Sequence, residues 1–418
     1  MKKYSQQYTR MGGKYNSMYP QYTPFRRKKR HRILPLILII LMLLVLIGHT
    51  LWQKVFVRPT LPVGYSEETE TVSSRTSDRM DAIQSGDFPP DGDTIDYGEG
   101  IRPQQSGLRK SEDFYTVLIL GRDTGGGGNT DTMLLLSYDV TNQKANVMSI
   151  PRDTMINVPW DVKKINSVYS YFGGGEKGIQ QVYKEVSQLV GFQPDFKIVV
   201  EWEAVGKIVD AIGGVWFDNP YPMDYHDPKQ DLVIEQEQGY RLLTGSDAMQ
   251  VIRWRANDND SPYGYRKRNG GIGDAGRMEL QQDFLKALFR QMLTIQNVRN
   301  INKIAKVCEE TIDTDLTFQN MLWFLQKAFM GGLGMDDIEF FTMPWYGVSV
   351  WSRSYNQNLS YVCPKASDLL EIVNTRLSPF LAEFDMSDLD IMSVRSNGTL
   401  RSSTGYVEDR EATKVHQD

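Results

Sequence analysis

FYTVLILGRD (Phe114–Asp123), TDTMLLLSYD (Thr130–Asp139) and KANVMSIPRD (Lys144–Asp153) are three apolar runs in close succession, each with charged residues at its end. Runs of this length, bounded by short polar stretches, predict three strands. As neighbours in one sheet they would bring the carboxylates of Asp123 and Asp131 and the guanidinium of Arg152 to a common rim. Carboxylate oxygens suit a hard cation such as Mg²⁺, and a guanidinium grips phosphate oxygens through a planar fork. The combination predicts a site for a phosphorylated substrate. The glycine run between the first two strands, GRDTGGGGN (Gly121–Asn129), fits neither the P-loop nor the dinucleotide fingerprint and predicts a flexible hairpin loop.

Downstream, helical apolar spacing covers Ile165–Phe172 and Gly178–Val190, and FKIVVEW (Phe196–Trp202) predicts a strand. Ala204–Ile212 predicts a helix stopped by Gly213-Gly214, since glycine takes positive φ without strain. A short strand at Val215–Asp218 follows, then helices over Gly245–Trp254 and Asp274–Met292 and two more within residues 298–330. Late strands at Asp337–Met343 and Gly347–Trp351 precede a closing helix at Ser367–Leu377. Beyond about residue 380 apolar content falls, which predicts a disordered tail over 381–418.

Upstream, ILPLILIILMLLVLIGHTLW (Ile33–Trp52) contains no acid, Lys or Arg and is long enough to span a bilayer. RRKKRHR (Arg26–Arg32) precedes it. Such clusters mark the cytoplasmic flank, so residues 1–32 are expected inside the cell and everything after 52 outside. The run is too long for a signal-peptide core, and no small-x-small cleavage site follows it cleanly. Residues 53–112, rich in Ser, Thr, Asp, Glu, Gly and Pro, predict a flexible extracellular linker, with a globular domain over 113–380. Residues 1–32 hold ten of the 47 Lys and Arg and none of the 52 acids. The remainder carries 37 basic against 52 acidic residues, about −15, which argues against nucleic-acid binding. Phosphate must therefore be met by a local basic pocket on an acidic body.

The two cysteines, Cys308 and Cys363, form no CxxC or zinc pattern, and neither spacing nor motif requires a disulfide. Of four histidines, only His226 lies in the body of the domain, without a nucleophile elbow. The chemistry narrows toward metal and arginine. Arg253 and Arg255 (VIRWR) follow a helical pattern; Arg277 and Gln281 lie four apart, on one helix face; Asp274 precedes that helix as a cap; Lys164 opens an earlier helix. With Arg152, these cations stand at segment ends, where a pyrophosphate can engage several of them. Taken singly, each is an ordinary surface charge.

Together the pieces LGRD (120–123), TDTMLLLSYD (130–139), SIPRD (149–153), KIN (164–166), VDAIGGV (209–215), LLTGSDAMQVIRWR (242–255) and GDAGRMELQQDFL (273–285) resemble the LytR-CpsA-Psr family of bacterial cell-envelope proteins. The resemblance implies an α/β fold: a single exported α/β/α domain with a central mixed, largely antiparallel sheet flanked by helices, after one N-terminal transmembrane helix. It also implies a membrane-anchored phosphotransferase of a Gram-positive-type envelope, moving a glycopolymer from an undecaprenyl-pyrophosphate carrier to peptidoglycan by a phosphodiester bond. Carried onto this chain, Asp123 and Asp131 would bind Mg²⁺. Arg152, Arg253, Arg255 and Arg277 would clamp the pyrophosphate with Lys164 and Gln281 in support, and the lipid would occupy an apolar tunnel. Arg152, Arg255 and Arg277 are the expected catalytic cations and Asp153 the expected general base, its alternative role being a salt bridge to a neighbouring Arg. The chain departs from the family where Asn129 stands in place of an Arg two residues before Asp131. The loop between Arg255 and Arg277 carries Arg266, Lys267 and Arg268 as possible replacements. Two alternatives stay open: a polyprenyl-pyrophosphate pyrophosphatase, and a non-catalytic lipid-binding envelope regulator. The polymer, whether teichoic acid, capsule or another wall polysaccharide, is not legible.

Overall fold

The structure, a computed structural model, describes residues 42, 53–61, 100–122, 130–229, 231–294 and 301–414. The predicted membrane span 33–52, Met42 apart, lies outside them, as do Asp123 and Asn129; of Asp131 only the backbone is described. No helix among the described residues is long and apolar enough to cross a membrane. The chain divides into two units, Met1–Gln53 and Lys54–Asp418, and the elements that follow are all in the second.

The three apolar runs are β1 (Phe114–Arg122), β2 (Thr130–Asp139) and β3 (Lys144–Ser149), followed by α1 (Ser167–Tyr171), α2 (Gly175–Val190), β4 (Phe196–Glu201) and α3 (Trp202–Ala211). Two ribbons come next, β5 (Val215–Asn219) with β8 (Gly239–Leu243), and β6 (Met223–Asp227) with β7 (Leu232–Gln236). Then come α4 (Gly245–Arg253), α5 (Gly273–Met292), α6 (Ile301–Thr311), β9 (Ile312–Thr314), α7 (Phe318–Gly331) and β10 (Ile338–Thr342). The hairpin β11 (Trp345–Ser352) and β12 (Gln357–Pro364), helix α8 (Ala366–Ile372) and the short pair β13 (Met392–Val394) and β14 (Leu400–Ser402) complete the chain.

The central sheet has the order β10-β3-β2-β1-β4-β9. It is mixed: β1–β2, β2–β3 and β4–β9 are antiparallel, β1–β4 and β3–β10 parallel. This is the expected α/β architecture of a central mixed sheet with flanking helices. Leu118, Leu120, Met133, Leu135 and Met148 face one core, against α1, α2 and α8, while Tyr115, Val117 and Phe196 face another, against α7. Burial on both faces explains why these strands read as unbroken apolar runs.

Two stretches differ from the sequence-based expectation. Parts of the expected linker are packed. The Arg58 guanidinium pairs with Asp113 at 2.9 Å and donates to the Tyr115 hydroxyl, Asn320 donates to the Val57 carbonyl, and Arg109 makes a buried bidentate pair with Asp195 at 2.9 and 2.7 Å. The expected disordered tail is packed as far as residue 414. Leu389, Met392, Leu400 and Val407 are buried. Asp390 accepts from Asn157 and Ser402. Asp409 pairs with buried Lys163 at 3.0 Å and with Arg353 at 2.5 Å. In both stretches polar side chains that read as solvent-facing are matched to distant partners, which local periodicity does not register.

Glu185 on α2 is buried, and loss of solvation pushes its carboxyl up to about 8; Glu408 and Asp390 add to the rise while Lys184 and a hydrogen bond from Gln181 oppose it. Its folded value is raised, so its contribution to stability is full below the ordinary carboxylate range. That contribution falls as pH climbs toward 8, by up to about 1.4 kcal/mol per pH unit. Glu185→Gln should therefore melt progressively higher than the parent between pH 5 and pH 8. An unchanged gap at the two pH values would mean the carboxylate is ionised in the fold.

Candidate active site

β3 ends at Ser149, and two residues on, 151–154 form a tight turn in which the Thr154 amide and hydroxyl both donate to the Pro151 carbonyl, at 3.0 and 2.6 Å. Arg152 and Asp153 are its two central residues. The turn is fixed from both sides: the Asn166 amide donates to the Arg152 carbonyl and the Val362 amide to the Asp153 carbonyl. The Asp153 carboxylate is 3.0 Å from the Lys164 ammonium and 3.8 Å from Arg152 Nε. The alternative role, a salt bridge to a neighbouring Arg, is met only by the long contact to Arg152; the closer partner is Lys164.

Beside this turn lies a cavity of about 520 Å³. Arg152, Asp153, Arg277 and Gln281 line it together. Arg277 and Gln281, one helical turn apart on α5, share that face as their spacing predicts. Arg277 is 3% exposed, a burial that a guanidinium tolerates only with compensating partners. Most of the remaining wall is apolar, with Met133, Leu134, Ile150, Met278 and Leu285 contributing. Two guanidiniums in an otherwise greasy cavity suit an amphiphile with an anionic head.

Lys164 stands one step back, its ammonium 5.6 Å from the ring of Tyr361, which does line the cavity. Arg253 and Arg255 are not among the lining residues. Arg253 is the last residue of α4, half-buried, and Arg255 is exposed just beyond it. They are nevertheless adjacent. Gln281 donates to the Ile252 carbonyl at 3.1 Å, and the Ile272 amide donates to the Arg255 carbonyl. Gly271 permits that approach: its φ is +62°, and a Cβ there would stand 2.3 Å from the Arg255 carbonyl oxygen. Of the possible replacements for Asn129, Arg266 is bound within its own loop to the Ser261 carbonyl, and Arg266, Lys267 and Arg268 are all absent from the cavity lining.

At the same rim of the sheet, where β3 ends opposite Leu134, β1 and β2 pair regularly to Gly121↔Thr132, then slip to Arg122↔Thr130, so that Asp131 is the extra residue of a bulge. Bulges of this kind re-aim a side chain and recur beside active sites. Among the described residues no cluster of three His, Cys, Asp or Glu is placed to hold a metal ion; Asp123 and the Asp131 side chain are not among them. His226 is exposed on β6, 3.6 Å from Glu235, away from the cavity. The cysteines are not joined, and burial pushes both thiols up to about 11.

The opposite wall was not foreseen. Trp345, Gly347, Val348, Ser349, Ser360 and Tyr361 of the β11–β12 hairpin line the cavity. GVSVW (Gly347–Trp351) reads as a strand; its extension back to Trp345 and its pairing with residues 357–364 across a turn at Asn356, φ +50°, do not.

A sequence model of the LytR_cpsA_psr family matches residues 91–376, more than half of the chain. The chain belongs to that family. It is 24% identical over 245 residues to the regulatory protein MsrR of Staphylococcus aureus, covering 58% of this chain and 68% of that protein. It is 26% identical to two Bacillus subtilis proteins named polyisoprenyl-teichoic acid–peptidoglycan teichoic acid transferases. TagV matches over 226 residues (52% of this chain, 53% of that protein) and TagU over 234 (55% and 68%). The crystal structure of B. subtilis TagV superposes with a TM-score of 0.50 at 23% identity, covering 63% of this chain and 96% of that one, and so supports the fold.

Proposed function

We propose that the protein is a membrane-anchored phosphotransferase that moves a glycopolymer from an undecaprenyl-pyrophosphate carrier to peptidoglycan. The observation that carries this is the convergence of Arg152 and Arg277 on one cavity with a largely apolar wall, the complement of a lipid pyrophosphate. The names of TagV and TagU support the same class of substrate and acceptor. In the transfer, an acceptor hydroxyl bonds to the sugar-side phosphorus, the bond from that phosphorus to the bridging oxygen breaks, and the lipid leaves as its monophosphate. The hydroxyl proton passes to the Asp153 carboxylate. Such a reaction needs positioning and charge neutralisation more than a covalent nucleophile. Arg152 and Arg277 bind and orient the phosphates; Lys164 holds Asp153; Gln281 ties α5 to the end of α4, keeping Arg253 and Arg255 at the margin of the site. Asp123 and Asp131 would hold Mg²⁺, which when bound neutralises phosphate charge. Residues 33–52 would anchor the chain with its N-terminus inside and the domain outside. A hydrolase with water as acceptor would use the same donor site. A non-catalytic lipid-binding regulator, which the name of MsrR raises, would use the paired guanidiniums for the same head group but has no need of a metal at the phosphate or of an acid to take a proton.

The clamp can be tested directly. Lysine keeps the charge of arginine but not its fork. Arg152→Lys and Arg277→Lys should each lower turnover of a lipid pyrophosphate about ten- to a hundredfold, the worth of a charge-assisted bond of roughly 1.5–3 kcal/mol. Full rate in both lysine variants would mean that they act by net charge or not at all.

A further inference from the structure

The β11–β12 hairpin has two unlike faces. Its register is regular from Trp345↔Pro364 to Ser352↔Gln357, so residues alternate strictly between faces. Val350, Leu359, Tyr361 and Cys363 face a small core with Met392 and Leu400 of the C-terminal segment. The other face presents Trp345, Gly347, Ser349 and Trp351 on one strand and Asn358, Ser360 and Val362 on the other. Trp345, Gly347, Ser349, Ser360 and Val362 line the cavity, with Val348 and Tyr361 of the core-facing set reaching its edge, and the face continues past it to Trp351 and Asn358. The two indoles, 38% and 37% exposed, stand six residues apart, roughly 20 Å along the strand.

Gly347 is the telling residue. It sits mid-strand in an unbroken ladder, and its φ is not in the left-handed region. A Cβ there would meet only the Trp345 ring, at an ordinary 3.9 Å. The fold does not require a glycine here, and glycine weakens a strand. A bare position of this kind marks close approach of something else. Residues 345–364 contain no acid and a single cation, Arg353, which is committed to Asp161 and Asp409. The face is therefore neutral: flat backbone bracketed by indoles, with hydroxyl and amide groups alongside. That is the chemistry that receives pyranose rings, whose C–H faces stack on aromatics while their hydroxyls hydrogen-bond.

We propose that this face is the docking platform for a neutral, β-linked hexosamine glycan, the acceptor strand, delivering its hydroxyl to the phosphate bound at Arg152 and Arg277. The proposal rests on the transfer reaction above. An anionic donor polymer is disfavoured because the platform offers it no uncommitted cation.

The probe is the β-1,4-linked tetramer of N-acetylglucosamine, titrated onto the full-length protein in detergent by tryptophan fluorescence, with melting temperature measured in parallel. The parent should bind it. Gly347→Val should weaken binding at least about tenfold with the melting temperature unchanged or raised, and Trp351→Ala should weaken it comparably. Tyr355→Ala, at the turn tip, should bind as the parent does. Absence of tetramer binding by the parent, parental affinity in Gly347→Val, or a fall in its melting temperature alongside the loss of binding would each overturn the platform. Tighter binding of a polyglycerol phosphate at the same residues would also overturn it, assigning the face to the donor. The tetramer carries no phosphate and undergoes no transfer, so its binding stands if lipid-pyrophosphate turnover is never found. Intact turnover without tetramer binding removes only the platform.

Discussion

Replacing Asp131 or Asp123 by alanine is expected to abolish turnover of a lipid-pyrophosphate donor while the domain stays folded. A cation held by Asp123 and Asp131 would neutralise phosphate charge, worth several kcal/mol to the transition state, on the order of a thousandfold or more in rate. No group of three or more His, Cys, Asp or Glu among the described residues is placed to hold a cation in their stead. Folding should survive because the β1–β2 ladder runs unbroken from Phe114↔Asp139 to Gly121↔Thr132 and only slips where Asp131 bulges from it. The measurement pairs both variants with a chelator series on the parent. Activity should vanish in chelator and return with added Mg²⁺, and neither variant should be rescued. Parental rates in either variant, or full activity in excess chelator, would remove the metal from the site.

How far the sequence carried this fold depended on whether structure was written locally. Strands buried on both faces betray themselves as continuous apolar runs, so β1, β2, β3 and β4 were legible. Arg277 and Gln281 were legible as partners because helix geometry alone puts residues four apart on one face. Arg152 and Asp153 were legible as a pair at a strand end, and the turn closed by Thr154 on Pro151 gives the reason. Arg253 and Arg255 were not separable from the lining residues, because they stand where α4 gives way to a loop. What directs that loop is Gly271 against the Arg255 carbonyl and Asn257 holding the buried Trp254 indole. Neither contact has a local signature.

The C-terminal stretch shows the same limit more sharply. Its low apolar content reads as disorder. Yet Asp409 reaches Lys163, which neighbours the Lys164 that holds Asp153, and Asn157 in the same loop is held by Asp390 and the Tyr406 carbonyl. The segment thus braces the loop that carries one half of the site. It also packs against Val350, Leu359, Tyr361 and Cys363 on the back of the β11–β12 hairpin. Long-range polar pairing of this kind does not recur with any helical or strand period and so leaves no trace in the pattern of residues.

A phosphotransferase and a pyrophosphatase would share Arg152, Arg277 and the apolar cavity and would differ only in what attacks phosphorus. If the hairpin face receives the acceptor as proposed, a glycan hydroxyl would have a route to phosphate held at Arg152 and Arg277, and the product should depend on whether acceptor is present. The decisive measurement supplies the full-length protein with a lipid-pyrophosphate-linked polymer labelled in its sugar, with and without peptidoglycan fragments, and follows the label and the lipid. We expect the label to become covalently joined to the fragments through a phosphodiester, with one undecaprenyl phosphate released per joined chain. Release of free polymer phosphate at a rate and yield unchanged by added glycan would contradict the account and make the protein a hydrolase.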